Sequence, residues 1–215
     1  MDYLKDFLDF FLHLDDKLLL MIQEYGNWVY AILFAIIFVE TGLIIMPFLP
    51  GDSLLFAAGA FAAAGDLNIV YIILLLFVAA VLGDTVNYSV GKQLGVRATK
   101  IKLFGRNLVK QEHLDKTHAF FEKYGPKAII IARFVPIVRT FAPFVAGVGS
   151  MTYGKFITYN VVGGALWVVG VSMVGYMFGQ TAWVKENFEI VVFGIIFISI
   201  VPIIFEFIKH RFSKK

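Results

Sequence analysis

Four stretches of the chain are almost continuously apolar: Trp28 to Ala64, Ile69 to Val90, Phe156 to Val184 and Ile190 to Ile208. Runs of this length match the roughly 20 residues that cross a bilayer core of about 30 Å. Residues 1–25 follow a different pattern. Their apolar positions, Leu4, Phe7, Leu8, Phe11, Leu18, Ile22 and Tyr25, recur with helical period, and Asp2, Lys5, Asp6, Asp9, His13 and Asp16 occupy the opposite face. The spacing predicts an amphipathic helix lying in the membrane interface. A secretory signal would begin with basic residues, whereas this segment carries Asp2, Asp6, Asp9, Asp15 and Asp16.

The first apolar stretch has an awkward length. One straight helix over its 37 residues would overshoot the core, and two crossings with a turn would need more. Its middle, Pro47-Phe48-Leu49-Pro50-Gly51-Asp52, cannot continue a helix. A re-entrant hairpin over 28–65, entering and leaving on one side, fits. Its non-helical tip must then be buried in protein or line a wet cavity. Residues 68–90 form a full crossing. The segment 91–127 follows, with Lys92, Arg97, Lys100, Lys102, Arg106, Lys110, Lys116, Lys123 and Lys127 against Glu112, Asp115 and Glu122. Its charge places it in the cytoplasm as a solvated, headgroup-facing loop. Residues 128–150 read as a second hairpin, interrupted by Pro136, Pro143, Gly147 and Gly149. Crossings at 155–184 and 188–209 then leave the basic tail 210–215 in the cytoplasm and the N-terminus outside.

The two halves resemble one another. At an ungapped shift of 99, Tyr25-Gly26 falls on Tyr124-Gly125, and Val39-Glu40-Thr41 on Val138-Arg139-Thr140. The crossing after each hairpin ends in glycines four apart, Gly91/Gly95 and Gly175/Gly179. These could pack helices within one chain or between chains of an oligomer. The expected architecture is an all-α polytopic membrane protein. It is an inverted repeat of amphipathic helix, re-entrant hairpin and transmembrane helix, plus a C-terminal transmembrane helix.

Composition narrows the chemistry. Of 215 residues, 59% are hydrophobic and 16% charged, too few polar groups to coat a soluble domain of this size. With no cysteine, disulfides, thiolate metal sites and cysteine nucleophiles are excluded. His13 and His210 lie in the terminal segments, and His113 and His118 in the basic segment, without the spacing of a metal site. No metal, cofactor or nucleic-acid partner is expected.

Candidate chemistry lies in charges placed where hydrocarbon is expected: Glu40, Asp52, Asp84, Arg133 and Arg139. Each uncompensated charge costs roughly 3 kcal/mol near the bilayer centre. The first hairpin holds only acids and the second only bases, so the two can meet with complementary charge. On a purely structural reading Glu40 and Asp52 pair with Arg139 and Arg133 and clamp the hairpins together. On a functional one, the forked guanidiniums of Arg133 and Arg139 hold a phosphate headgroup. Glu40 and Asp52 then take up protons as an arginine changes partner. Asp84 either joins the proton path or hydrogen-bonds backbone freed by a hairpin. Asn160 and Trp167 read as packing and hydrogen-bonding groups rather than ligands, and Ser53 and Thr140 as helix caps before headgroup donors.

Several of these segments resemble a known family. They are Glu40-Thr41-Gly42, Phe48-Leu49-Pro50-Gly51-Asp52-Ser53-Leu54-Leu55, Gly83-Asp84 with Tyr88, and the run from Ala132-Arg133-Phe134-Val135-Pro136 through Arg139-Thr140 to Gly147. They are similar to the DedA family of bacterial inner-membrane proteins, which shares the VTT (SNARE-associated) domain with eukaryotic lipid scramblases. The resemblance implies two opposed re-entrant hairpins and a flippase or scramblase, not an enzyme. The implied task is return of a lipid carrier across the inner membrane, foremost undecaprenyl phosphate, with a link to proton-motive force. Phosphatidylethanolamine movement is an alternative, as is proton-coupled transport of small cations or drugs. The family's essential acids and arginines map onto Glu40, Asp52, Arg133 and Arg139.

Overall fold

The computed structural model describes residues 20–22, 24–43, 51–94, 102–103, 106–107, 111–149, 151–188, 190–195 and 197. Most of the expected interfacial helix 1–25, the tip 44–50, most of the expected crossing 188–209 and the tail 210–215 lie outside the described residues.

Among the described residues, two helices are long and apolar enough to cross a membrane, α3 (Ile69–Leu94) and α7 (Tyr153–Phe178). At 26 residues each they reach about 39 Å. Between and before them lie shorter pieces. Helices α1 (Trp28–Gly42) and α2 (Gly51–Ala64) have 15 and 14 residues, about 22 Å each, and neither alone crosses the core. After α3 come a two-residue antiparallel ladder, β1 (Lys102–Leu103) with β2 (Arg106–Asn107), and helix α4 (Gln111–Tyr124). A 3-10 turn at Gly125–Lys127 leads into the short α5 (Ala128–Ala132). Then follow α6 (Pro136–Val148) and, beyond α7, α8 (Ala182–Glu186).

Several boundaries differ from those the sequence suggests. The crossing expected to stop at 90 continues to Leu94, because Gly91 lets it run on against the backbone of Phe144. The segment 91–127, read as a loop, contains a helix, α4, packed on α6. The second crossing ends at Phe178 instead of 184, with Gly179 as its C-cap. Pro143 does not break the second hairpin, since it lies inside α6. Embedded helices tolerate proline where neighbours satisfy the freed backbone. Only Pro136 punctuates, opening α6 where no N–H is needed. The break itself falls on Arg133-Phe134-Val135.

Close packing sets the arrangement. Helix α1 lies along α3, α2 along α7, and α6 along α3. A Cβ on Gly59 would stand 2.1 Å from the Ser172 carbonyl oxygen, and one on Gly175 2.0 Å from that of Phe56. On the other pair, a Cβ on Gly91 would stand 2.2 Å from the Phe144 carbonyl oxygen, and one on Gly147 2.2 Å from that of Tyr88. Side chains at these four positions would hold the helices apart. The main core gathers Leu33, Ile37, Leu55, Ile72, Leu76 and Trp167 from α1, α2, α3 and α7, all buried. A second centre stacks Tyr88 on Phe156 at 4.4 Å, while the Tyr88 hydroxyl donates to the Met151 carbonyl. The outward faces of α3 and α7 stay apolar, with Val70, Leu74, Leu82, Val162, Leu166 and Val174 exposed, as lipid-facing helices require.

Candidate functional site

The charged residues converge near the end of α1, the start of α2 and the break between α5 and α6. Glu40 and Thr41 sit in the last turn of α1, buried against α3. They approach that closely because position 83 is glycine: a Cβ there would lie 2.0 Å from Thr41 Oγ1 and 2.8 Å from the Phe38 carbonyl oxygen. Asp84 follows on the same turn. Gly51 opens α2 for a similar reason, since its Cβ would overlap the Glu40 carboxylate. Asp52 occupies the first turn of α2, where the helix dipole favours an acid.

Two adjoining clusters form. In the first, Arg139 of α6 donates through Nη2 to Glu40 Oε1 and through Nη1 to Asp52 Oδ1 at 3.3 Å. In the second, Arg133, at the C-cap of α5, donates through Nη2 to Asp84 Oδ2 at 2.5 Å and to Asn160 Oδ1 at 2.6 Å. The Asn160 amide is oriented by α3, because its Nδ2 donates to the Val81 carbonyl at 3.1 Å. Gly163 and Gly164 of α7 lie against the Arg133 side chain, where a Cβ at either would stand 3.5 Å from it.

Trp167 joins the clusters. Its Nε1 donates to Asp52 Oδ1 at 2.6 Å, and its ring centre lies 4.5 Å from Arg139 Cζ and 5.6 Å from Arg133 Cζ. Asn160 and Trp167 are seven residues apart, two helical turns, so one face of α7 reads both arginines. Asn87 ties the breaks together from α3: its Nδ2 donates to the Thr41 carbonyl at 3.2 Å and to the Thr140 carbonyl at 2.9 Å.

The clusters differ in access. The Arg133 and Asp84 side chains are 2% and 5% exposed, whereas Arg139 is 13% and Asp52 27% exposed. The first cluster is reachable and the second sealed. Three buried atoms of the arginine clusters, Glu40 Oε2, Arg133 Nε and Arg133 Nη1, have no hydrogen-bond partner among the described residues.

The sequence foresaw the meeting of hairpin charges but not the partners. Glu40 and Asp52 both serve Arg139, while Arg133 takes Asp84 from the crossing. Asp84 is thus neither isolated nor spent on backbone. Ser53 Oγ is buried and has no hydrogen-bond partner among the described residues. Asn160, Trp167 and Asn87 are the residues whose part was underread. The signal available for two of them was the i, i+7 spacing of Asn160 and Trp167 around Gly163-Gly164 on a helix otherwise apolar there.

Residues 49–177 match the VTT domain. Over 216 residues the chain is 50% identical to Protein DedA of Escherichia coli K12, covering 98% of this chain and 96% of the relative. An uncharacterized membrane protein of Mycobacterium tuberculosis is 41% identical over 180 residues, 83% of this chain and 78% of its own length. The inner membrane protein YqjA of Escherichia coli K12 is 40% identical over 152 residues, 71% of this chain and 68% of its own. No solved structure matches the chain.

Proposed function

The chain belongs to the DedA family of membrane proteins, and from that premise we propose that it moves a phosphate-bearing lipid across the bacterial inner membrane as a flippase or scramblase. The cargo we favour is an undecaprenyl phosphate carrier being recycled, with the headgroup taken by Arg139 beside the fixed charge of Arg133 and the tail left in lipid. One observation carries the reading. A partly exposed guanidinium is held between two carboxylates on the opposing hairpin, so an incoming phosphate can compete for it without any helix unfolding.

Proton coupling has a charge argument. Glu40, Asp52 and Asp84 face Arg133 and Arg139. Three carboxylates against two guanidiniums leave one negative charge over, so one bound proton makes the set neutral. A phosphate arriving at Arg139 displaces a carboxylate, and a proton on Glu40 or Asp52 keeps that acid from being stranded in apolar surroundings.

The same reading keeps the re-entrant, inverted architecture. Tyr30, near the start of α1, accepts a hydrogen bond from the Asn68 backbone N–H just before α3 at 2.8 Å, which supports both ends of hairpin 1 lying at one level. The glycine contacts support a repeat with offsets other than 99. Phe56 and Gly59 of α2 meet Ser172 and Gly175 of α7 as Phe144 and Gly147 of α6 meet Tyr88 and Gly91 of α3. The second arms then correspond at an offset of 88 and the crossings at 84. Glu40 and Arg139 are not equivalent in that frame, since one ends a first arm and the other begins a second. With 91–127 cytoplasmic, the N-terminus is outside.

The test is reconstitution in proteoliposomes, comparing undecaprenyl phosphate with phosphatidylethanolamine, with and without a pH gradient. Arg139→Ala and Arg133→Ala are each expected to abolish headgroup movement in folded protein. Full movement in both variants would remove the site assignment. Proton flux driven by small cations, in liposomes free of phosphorylated carrier, would replace the cargo.

A further inference from the structure

We propose that Trp167 is the seat on which Arg139 exchanges its carboxylates for the phosphate of the cargo; this positioning role rests on the transport reading above. A guanidinium released from Glu40 and Asp52 is mostly surrounded by protein, only 13% exposed, and an unpaired charge in apolar surroundings is costly. Trp167 supplies an alternative that is already in contact. It is one of the largest fully buried side chains of the described residues, and Arg139 Cζ lies 4.5 Å from its ring centre. Indole faces attract guanidinium, most strongly when both are desolvated. The ring edge acts on the other partner. Its N–H donates to Asp52 Oδ1, the same oxygen that accepts from Arg139, so Asp52 keeps one hydrogen bond when Arg139 leaves. One side chain therefore supports both halves of the exchange, the departing cation on its face and the abandoned acid at its edge.

Arg133 does not share the exchange. Asp84 and Asn160 hold its Nη2 from α3 and α7, and its side chain is sealed. It lies near the same ring, at 5.6 Å. The division makes Arg139 the mobile cation and Arg133 the fixed one.

The experiment uses the full chain with Trp28→Phe and Trp183→Phe, both exposed in the wild type, which leaves Trp167 as the sole tryptophan. Emission is read in phosphatidylcholine nanodiscs without and with phosphatidic acid. Phosphatidic acid is expected to change Trp167 emission, and Arg139→Gln to remove that response. In proteoliposomes Trp167→Leu is expected to slow phosphatidic acid translocation about tenfold, while Trp167→Phe, which keeps a ring face for Arg139 but loses the N–H to Asp52, falls between Trp167→Leu and the wild type. Should Trp167→Leu fail to fold, Trp167→Phe and the emission change carry the test. Translocation by a protein whose Trp167 emission ignores phosphatidic acid, or wild-type rates in folded Trp167→Leu, would overturn the inference and leave the transport reading standing. A responsive Trp167 in a protein that moves no lipid supports the seat and removes the transport reading instead.

Discussion

Arg133 shows how much of this site is decided one side chain at a time. Removing one member of a buried pair strands the other charge, at about 3–5 kcal/mol, whereas removing both together is far cheaper. Asp84→Asn is therefore expected to lower the stability of the purified protein by about that amount, read from unfolding in detergent. Asp84→Leu with Arg133→Met should recover most of it and still move no lipid. A double variant no more stable than the single one would show that the pair is not an isolated lock. Asn87 makes a second prediction at this scale. Its Nδ2 serves two buried carbonyls, Thr41 and Thr140, so Asn87→Leu should cost about 2 kcal/mol in the same assay. Unaltered unfolding would mean that water serves those carbonyls in its place. The charges themselves were legible in the sequence, because a carboxylate or guanidinium in an apolar run stands out. Their pairing was not. Asp84 and Arg133 lie 49 positions apart, and nothing in composition distinguishes Asp84 from Asp52 as a partner.

Among the elements, the helix–helix contacts depend on backbone meeting backbone. Gly175→Ala places a methyl 2.0 Å from the Phe56 carbonyl oxygen and should cost about 1–3 kcal/mol as α2 and α7 are forced apart. Gly91→Ala should do the same between α3 and α6. Gly170, on the same helix as Gly175 with nothing within 4 Å of its Cβ position, should gain up to about 1 kcal/mol on becoming alanine. Thermal unfolding of the three variants in one detergent checks the set. Equal behaviour of Gly175→Ala and Gly170→Ala would show that the close approaches are not what holds the helices. Glycine spacing in the sequence pointed to tight packing, and the apolar runs to helices. The helix ends were harder to place. Pro143 looks like a breaker on local rules yet lies within α6, because its neighbours, and not its own chemistry, decide whether a missing N–H matters.

For the molecule as a whole, the absence of cysteine gives a clean background for testing how the chain is threaded. Glu24, Asp66, Glu122 and Lys155 are exposed. Cysteines replacing Glu24 and Asp66 should react with an impermeant reagent from the outer face, and those replacing Glu122 and Lys155 only after the inner face is opened. Labelling of positions 24 and 66 from opposite faces would turn hairpin 1 into a full crossing and end the re-entrant reading. On the proposed topology this arrangement would serve transport, because two half-inserted hairpins would bring their charged breaks together at one level. A simple bundle of crossings would bury the same charges at whatever depth each helix dictated.

The sequence by itself determined that this is a helical membrane protein of the DedA family with acids on one broken segment and arginines on another. Those features are local: hydropathy over 20 residues, prolines and glycines at a break, and motifs read in order. Tertiary structure alone decided that Arg139 takes both hairpin acids, that Asp84 and Asn160 hold Arg133, and that Trp167 lies against both guanidiniums. Such pairings depend on which helix faces meet, and that is fixed by the summed packing of glycine contacts along α2, α3, α6 and α7 rather than by any single stretch of chain.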